Sequence, residues 1–421
     1  MVSIHQLSNG LRVAVKSMEW THSCAIGVWL RVGSILESEE ENGLSHLLEH
    51  MSFKGTKNRS NRQLAIDMDA IGGQVNAATS KLTTEYYAQV LPEEAESALE
   101  LLSDIVCNTV IEPAELEKEK RMIIEEIGMV EDSPEDSAHD MANALFYLGG
   151  PLSQPILGSR ARVESFSAET VESFRAKHYV ANNAVLSVAG NFDENRLLEW
   201  CEKYFGRWKK GNRQEYPANP TNNKRLLTHT KKPIEQAQIL FTYPGMAFGA
   251  PLGKDLLLLS SILGGGSSSR LFQRIREEKA YAYSVYAHKT AYPFCGDLAI
   301  YAACSPKNTR VVCDIIEEEC KLVLDKGVTE EELCHSRIGE KTTLALADES
   351  VYYHMSKMGS DLMTYSRIVP HEEIFEGLNK VTTQSILLAA RESIDKPCAL
   401  VLLSPDEPDN HSYWRKYERQ A

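Results

Sequence analysis

The sequence predicts an α+β protein of two homologous domains, each a largely antiparallel sheet covered by helices, and three observations carry that expectation. The chain has 421 residues, enough for two or three domains with cores of their own. Strand signals come in hairpin-like pairs, with too few helices between them for strict strand–helix alternation. A pattern in the first half also recurs in the second. Residues 86–116 read as strand, proline, long amphipathic helix and a proline-opened acidic helix start; residues 298–333 read the same way, through Pro306 and the acidic run Glu330-Glu331-Glu332. The two copies lie about 215 residues apart, close to half the chain.

In the first half, strands are expected at 11–15, 25–32 and 86–90, and helices of 3.6-residue period at 93–106 and 116–129. The stretch 208–224 is polar, rich in Asn, Pro and Lys, and without apolar periodicity, which is the composition of a linker. The expected division is therefore a domain at 1–210, a linker at 211–227 and a second domain at 228–421. In the second half, strands are expected at 236–242, 282–287 and 298–303, with helices at 311–325 and 382–394.

Composition narrows the function classes. Lys and Arg total 45 against 59 Asp and Glu, a net charge of -14, so nucleic acid is not an expected partner. The longest apolar runs, such as 256–259 and 398–403, fall far short of a bilayer span, and no membrane association is expected. The first twenty residues lack a basic segment followed by an apolar one, which places the protein in the cytoplasm by expectation. Nine cysteines without a C-x-x-C pair indicate neither a disulfide framework nor a thiolate metal site.

The chemistry concentrates at 42–55. Leu44, Leu47, Leu48 and Met51 follow the spacing of a buried helical stripe, and Gly55 supplies a stop. On that helix His46 and His50 stand one turn apart on one face, where two imidazoles can share a metal ion. Glu49 adjoins them without occupying a coordination position. A catalytic zinc takes a third protein ligand, and the acidic helix at 115–129 offers Glu119, Glu125 and Glu126. Glu119 and Glu126, seven apart, point the same way, which suits one ligand and one supporting carboxylate.

The run HLLEHMSFKGT, followed 76 residues after His50 by the second Glu of MIIEEIGM, resembles the inverted zinc peptidases of the pitrilysin/insulinase family, and most of all their small processing-peptidase-like branch. The similarity extends over essentially the whole chain. It implies one Zn2+ per chain held by His46, His50 and Glu126, with Glu49 as general base and Glu119 as an assisting carboxylate. It also implies that the two halves share one fold.

Two further segments match. Residues 72–79, GGQVNAAT, followed by TEYY at 84–87, read on their own as a loop entering a strand; the resemblance makes them an edge strand that holds substrate as an added β-strand, through Asn76, Ala77, Ala78 and Thr79. In the second half, the segment from Ser269 to Val285 is similar to the family's substrate clamp, an Arg and a Tyr seven residues later. Arg276 with Tyr283 and Arg274 with Tyr281 share that spacing, and the flanking residues favour Arg276 and Tyr283. Ala280-Tyr281 departs from the Gly-Leu usual there.

Shifting the histidine motif by the repeat offset lands near 261–265, Ser-Ile-Leu-Gly-Gly, and Glu126 falls near Thr342. The second half is thus expected to be metal-free and to recognise substrate. The resemblance implies a metalloendopeptidase acting on unfolded peptides or presequence-like segments, working as a homodimer whose Arg276 and Tyr283 act in trans. Its rival is a noncatalytic scaffold subunit of the same fold.

Overall fold

The computed structural model describes residues 2–217, 226–405 and Trp414. Their contacts form two units: one built from the described residues of 1–128, 154–217 and 345–369, the other from those of 129–153, 218–344 and 370–421.

The first unit is organised on six strands, β1 (Val2–Gln6), β2 (Arg12–Ser17), β3 (Cys24–Leu30), β4 (Gln74–Thr79), β5 (Thr84–Val90) and β6 (Ala184–Gly190), in the order β1-β2-β6-β3-β5-β4. Only the β2–β6 pair is parallel. The second unit has β7 (Leu226–Lys231), β8 (Ala237–Pro244), β9 (Ala282–Ala291), β10 (Gly296–Cys304) and β11 (Ala399–Ser404), in the order β7-β11-β8-β10-β9, with β7–β11 parallel. With β1 set aside, the two orders coincide strand for strand. The duplicated, largely antiparallel α+β architecture expected from the repeat is what the chain adopts.

One face of each sheet carries the main core. In the first unit Ile26, Val28 and Leu186 pack with Leu47, Leu99, Ile123 and Phe174 from helices of the same half; in the second, Ile239, Phe241 and Ile300 pack with Leu259, Ile316 and Ile386. The other face is covered differently. Ala14, Ala25, Trp29, Val185 and Ala189 of the first sheet lie under Val351, Met355, Met358 and Leu362 of the helix Val351–Thr364. Leu240, Tyr301, Val401 and Leu403 of the second lie under Ala138 and Ala142 of the helix Pro134–Phe146. These two helices are themselves about 215 residues apart, the offset of the repeat. Each half of the sequence therefore supplies the cover helix of the other half's sheet.

This exchange alters the contiguous division at 1–210 and 228–421, because 129–153 and 345–369 each join the unit opposite to their place in the sequence. Close packing explains why the helix stays on its sheet: a Cβ on Gly359 would stand 2.1 Å from Trp29 Nε1, and one on Gly27 2.2 Å from Met355 Sδ. Part of the expected linker, 218–225, lies outside the described residues. Before it, Gln214 N–H donates to Asn183 Oδ1 and the Tyr216 hydroxyl to Leu82 O, so 211–217 run against the first unit. After it, β7 begins at Leu226.

Candidate metal centre

The motif helix Leu44–Ser52 forms where the sequence places it, with Leu44, Leu47, Leu48 and Met51 fully buried. Its N-terminus is Gly43 at φ +102°, a left-handed conformation that glycine adopts without strain. No capping side chain comes from Gly43 itself. The buried carboxylate of Glu37 takes that part: its Oε2 accepts from Gly43 N–H at 2.8 Å and from Asn42 Nδ2 at 3.1 Å, and its Oε1 accepts from Ser45 N–H at 2.6 Å. Burial pushes the Glu37 carboxyl up while these donors pull against it. A negative group at a helix N-terminus also complements the helix dipole. The carboxylate helix, Pro113–Asp132, is fixed by Leu116, Ile123 and Ile127.

These two helices bring His46, His50 and Glu126 together, with one ligand atom of each within 4.8 Å of the others. Both Nε2 atoms stand 3.7 Å from Glu126 Oε2, and the two rings are 4.6 Å apart. Tetrahedral zinc with bonds of about 2.0–2.1 Å sets its ligand atoms about 3.4 Å apart. The donor set and the spacing fit such an ion, and part-exposed Glu126 leaves an open side. Burial, then the neighbouring His50, push His46 down to about 3, so this imidazole is neutral and offers a lone pair to a cation.

The carboxylates left open by spacing separate in the structure. Glu125 is exposed. Glu119 is buried; its Oε2 lies 3.2 Å from His50 Nδ1 and its Oε1 2.9 Å from Lys54 Nζ. Burial works to raise the Glu119 carboxyl, but His50 and Lys54 bring it below the ordinary value. A carboxylate there fixes the tautomer and direction of the ring whose other nitrogen faces the ligand group. Nδ1 of His46, by contrast, is buried without a hydrogen-bond partner, so that ring is held by packing. Glu119→Gln is expected to weaken zinc binding about 10–100-fold while leaving the circular dichroism spectrum unchanged; competition with a chromophoric chelator measures it, and unchanged affinity would remove the supporting role.

Glu49 is not among the three clustered groups; its Oε2 accepts a hydrogen bond from the Thr79 hydroxyl. Burial raises its carboxyl, the Thr79 bond and His50 oppose that, and Glu126 adds to it. Thr79 was expected to touch substrate; the structure turns its hydroxyl to Glu49. It ends β4, which is paired with β5 on one side and forms the edge of the sheet on the other. Asn76 and Ala78 are exposed on that strand, while Ala77 and Thr79 turn to the side of the motif helix.

Arg276 and Tyr283 belong to the second unit. The Arg276 guanidinium lies 4.4 Å over the Tyr283 ring and 4.7 Å over Phe272, and Tyr283 is 75% exposed. The competing Arg274 is tied to Glu319 at 2.7 Å and Glu318 at 2.8 Å, which leaves Arg276 the more available cation. Ala280 takes φ +50°, the left-handed region where a side chain costs about 1–2 kcal/mol. The turn thus keeps a conformation suited to glycine despite the substitution.

Sequence reasoning missed Glu37, Lys54 and the Thr79–Glu49 bond. Glu37 precedes the helix within a short irregular stretch, where no periodicity marks it; the Thr79 contact joins two elements thirty residues apart.

A family model described as insulinase, peptidase family M16, matches residues 12–160, and one described as peptidase M16 inactive domain matches residues 165–337. An uncharacterized zinc protease of Bacillus subtilis, YmxG, is 36% identical over 96% of this chain and 98% of its own length. Another, from Rickettsia felis, is 33% identical over 96% and 98%. Among solved structures, a protease from Helicobacter pylori superposes with a TM-score of 0.90 at 21% identity, covering 96% of this chain and 99% of its own, which speaks to the fold alone. On the strength of the full-length relatives and the two matching models, the chain belongs to the insulinase family of peptidases, M16.

Proposed function

We propose that this protein is a zinc-dependent endopeptidase that cleaves unfolded peptides or presequence-like segments. The observation that carries the reading is the convergence of His46, His50 and Glu126 with Glu49 held beside them by Thr79. When bound there, zinc supplies Lewis-acid polarisation and acidifies a water. Glu49 takes the proton of the attacking water as its oxygen bonds to the peptide carbonyl carbon, then returns that proton to the amine nitrogen as the C–N bond breaks. Thr79 occupies Glu49 Oε2 and so leaves the other oxygen for proton transfer. Exposed Tyr283 donates to the developing carbonyl oxyanion, with Arg276 beside it.

The edge of β4 holds the peptide as an added strand, with the main chain at 76–79 supplying the pairing groups. The metal-free second unit recognises substrate; among the described residues no second group of candidate ligands accompanies the first. The working form is a cytoplasmic homodimer in which Arg276 and Tyr283 serve the partner's site. No helix among the described residues is long and apolar enough to cross a membrane.

A noncatalytic scaffold is the second reading, favoured by two structural neighbours: one described as a peptidase M16 inactive domain from Pseudomonas fluorescens, and one as complex III from Candida albicans. Elemental analysis joined to hydrolysis of a quenched peptide separates the two. The expected result is one zinc per chain and hydrolysis that a chelator abolishes and added zinc restores. A chain that binds no zinc and cleaves nothing would establish the scaffold.

A further inference from the structure

The sheet face opposite the motif helix carries an acid that the mechanism above does not use. The side chain of Glu85 on β5 forms no hydrogen bond or ion pair among the described residues, and its Oε2 is fully buried without a partner. Such a group is costly unless something completes it. Burial, then the negative charge of Glu49, push its carboxyl up to about 7, as befits an acid lacking a counter-ion.

Its surroundings are open on one side. Glu85 pairs with Trp29 of β3, which lies under the cover helix, and with Ala78 of β4, which is exposed. Two residues along, Tyr87 faces the same way, and its ring packs edge-on against Tyr352 at 5.0 Å. The margin of the sheet thus presents a small residue over an unpaired carboxylate, next to two aromatic rings. Rings of this kind favour the stem and charge of a long cation.

A peptide strand added outside β4 places one residue beside Ala78 with its side chain on the Glu85 face. Two strand spacings, roughly 10 Å, then separate that residue from β5. A short cation does not cover the gap. The long stems of lysine or arginine, passing over the Ala78 methyl group and met by the Glu85 side chain, do. Resting on the endopeptidase reading and on strand addition at β4, we infer that Glu85 is a specificity residue selecting a lysine or arginine at the substrate position beside Ala78.

The test uses quenched peptides that differ at a single position, carrying lysine, norleucine or the short cation 2,4-diaminobutyrate, with that position walked along the peptide. For the zinc-loaded wild type, one position is expected to show kcat/KM about tenfold higher for lysine than for norleucine, with diaminobutyrate close to norleucine. Glu85→Gln should bring the ratio within about twofold, and Glu85→Lys should turn the preference toward glutamate at that position. Fluorescence anisotropy in a Glu49→Gln background, where cleavage is blocked, should show the same ratio in Kd and its loss on adding Glu85→Gln. Hydrolysis without a lysine preference at any position, or a preference that persists in Glu85→Gln, overturns the role of Glu85 and leaves the peptidase reading intact. Failure of the zinc-loaded wild type to cleave or bind any of the peptides overturns both.

Discussion

Glu49→Gln is expected to retain one zinc per chain and to lose peptide hydrolysis by about 10³-fold, the middle of the range for a positioned general base. The geometry makes this a clean substitution. Glu49 stands outside the group of candidate ligands, which is complete without it. Its contact with the Thr79 hydroxyl needs only an acceptor oxygen, which the glutamine amide also supplies. What the amide cannot do is take a proton. Metal content by elemental analysis and kcat with a quenched peptide measure the two quantities separately. Full activity in a sample free of contaminating peptidase would remove the base; loss of the metal would make Glu49 a ligand instead.

A chain ending at residue 217 is expected not to fold, although it holds every residue of the metal centre. It lacks the helix Val351–Thr364, and so leaves the sheet face with Trp29, Ala25 and Val185 bare. Burial of a large apolar side chain contributes about 2 kcal/mol. Val351, Met355, Met358, Leu362 and Met363 all rest on that face, so the helix accounts for a share of stability comparable to the roughly 5–15 kcal/mol that holds a whole domain together. The expected signs are absence of a cooperative thermal transition and strong binding of an apolar dye. Co-expression of the remaining residues should restore the transition. A fragment that melts cooperatively by itself would show that the cover helix is dispensable.

The unequal legibility of the sequence has physical causes. Strands β2, β3, β5, β8 and β10 coincide closely with runs of apolar and β-branched residues, and the repeat exposed the common topology. Strands β6 and β11 are buried at every residue, as β3 and β10 are, so alternation marks none of the four; β6 and β11 went unread because each follows a helix, with no neighbouring strand in the sequence to make a hairpin-like pair. Strand β4, Gln-Val-Asn-Ala-Ala-Thr, has the small and polar residues of an exposed edge, and only the family resemblance made it a strand. The exchange of cover helices was invisible for another reason. Periodicity shows that a helix has an apolar face but not which sheet lies beneath it. At the metal centre, His46 and His50 were legible through local spacing on one helix. Choosing Glu126 from among its neighbours needed the register between two helices, which residue order along one helix does not contain.

The carboxylate of Glu37 has a bearing on how the site handles its ion. By anchoring Gly43 and Ser45, it holds the first turn of the motif helix through the protein's own hydrogen bonds. Binding an ion therefore orders little new chain, and its full affinity goes into coordination rather than into folding. A chelated protein should remain folded and reload without renaturation. A pocket set in advance by the fold has no conformational step with which to sort cobalt or manganese from zinc, so the ion it carries follows donor chemistry and the supply of metal around it.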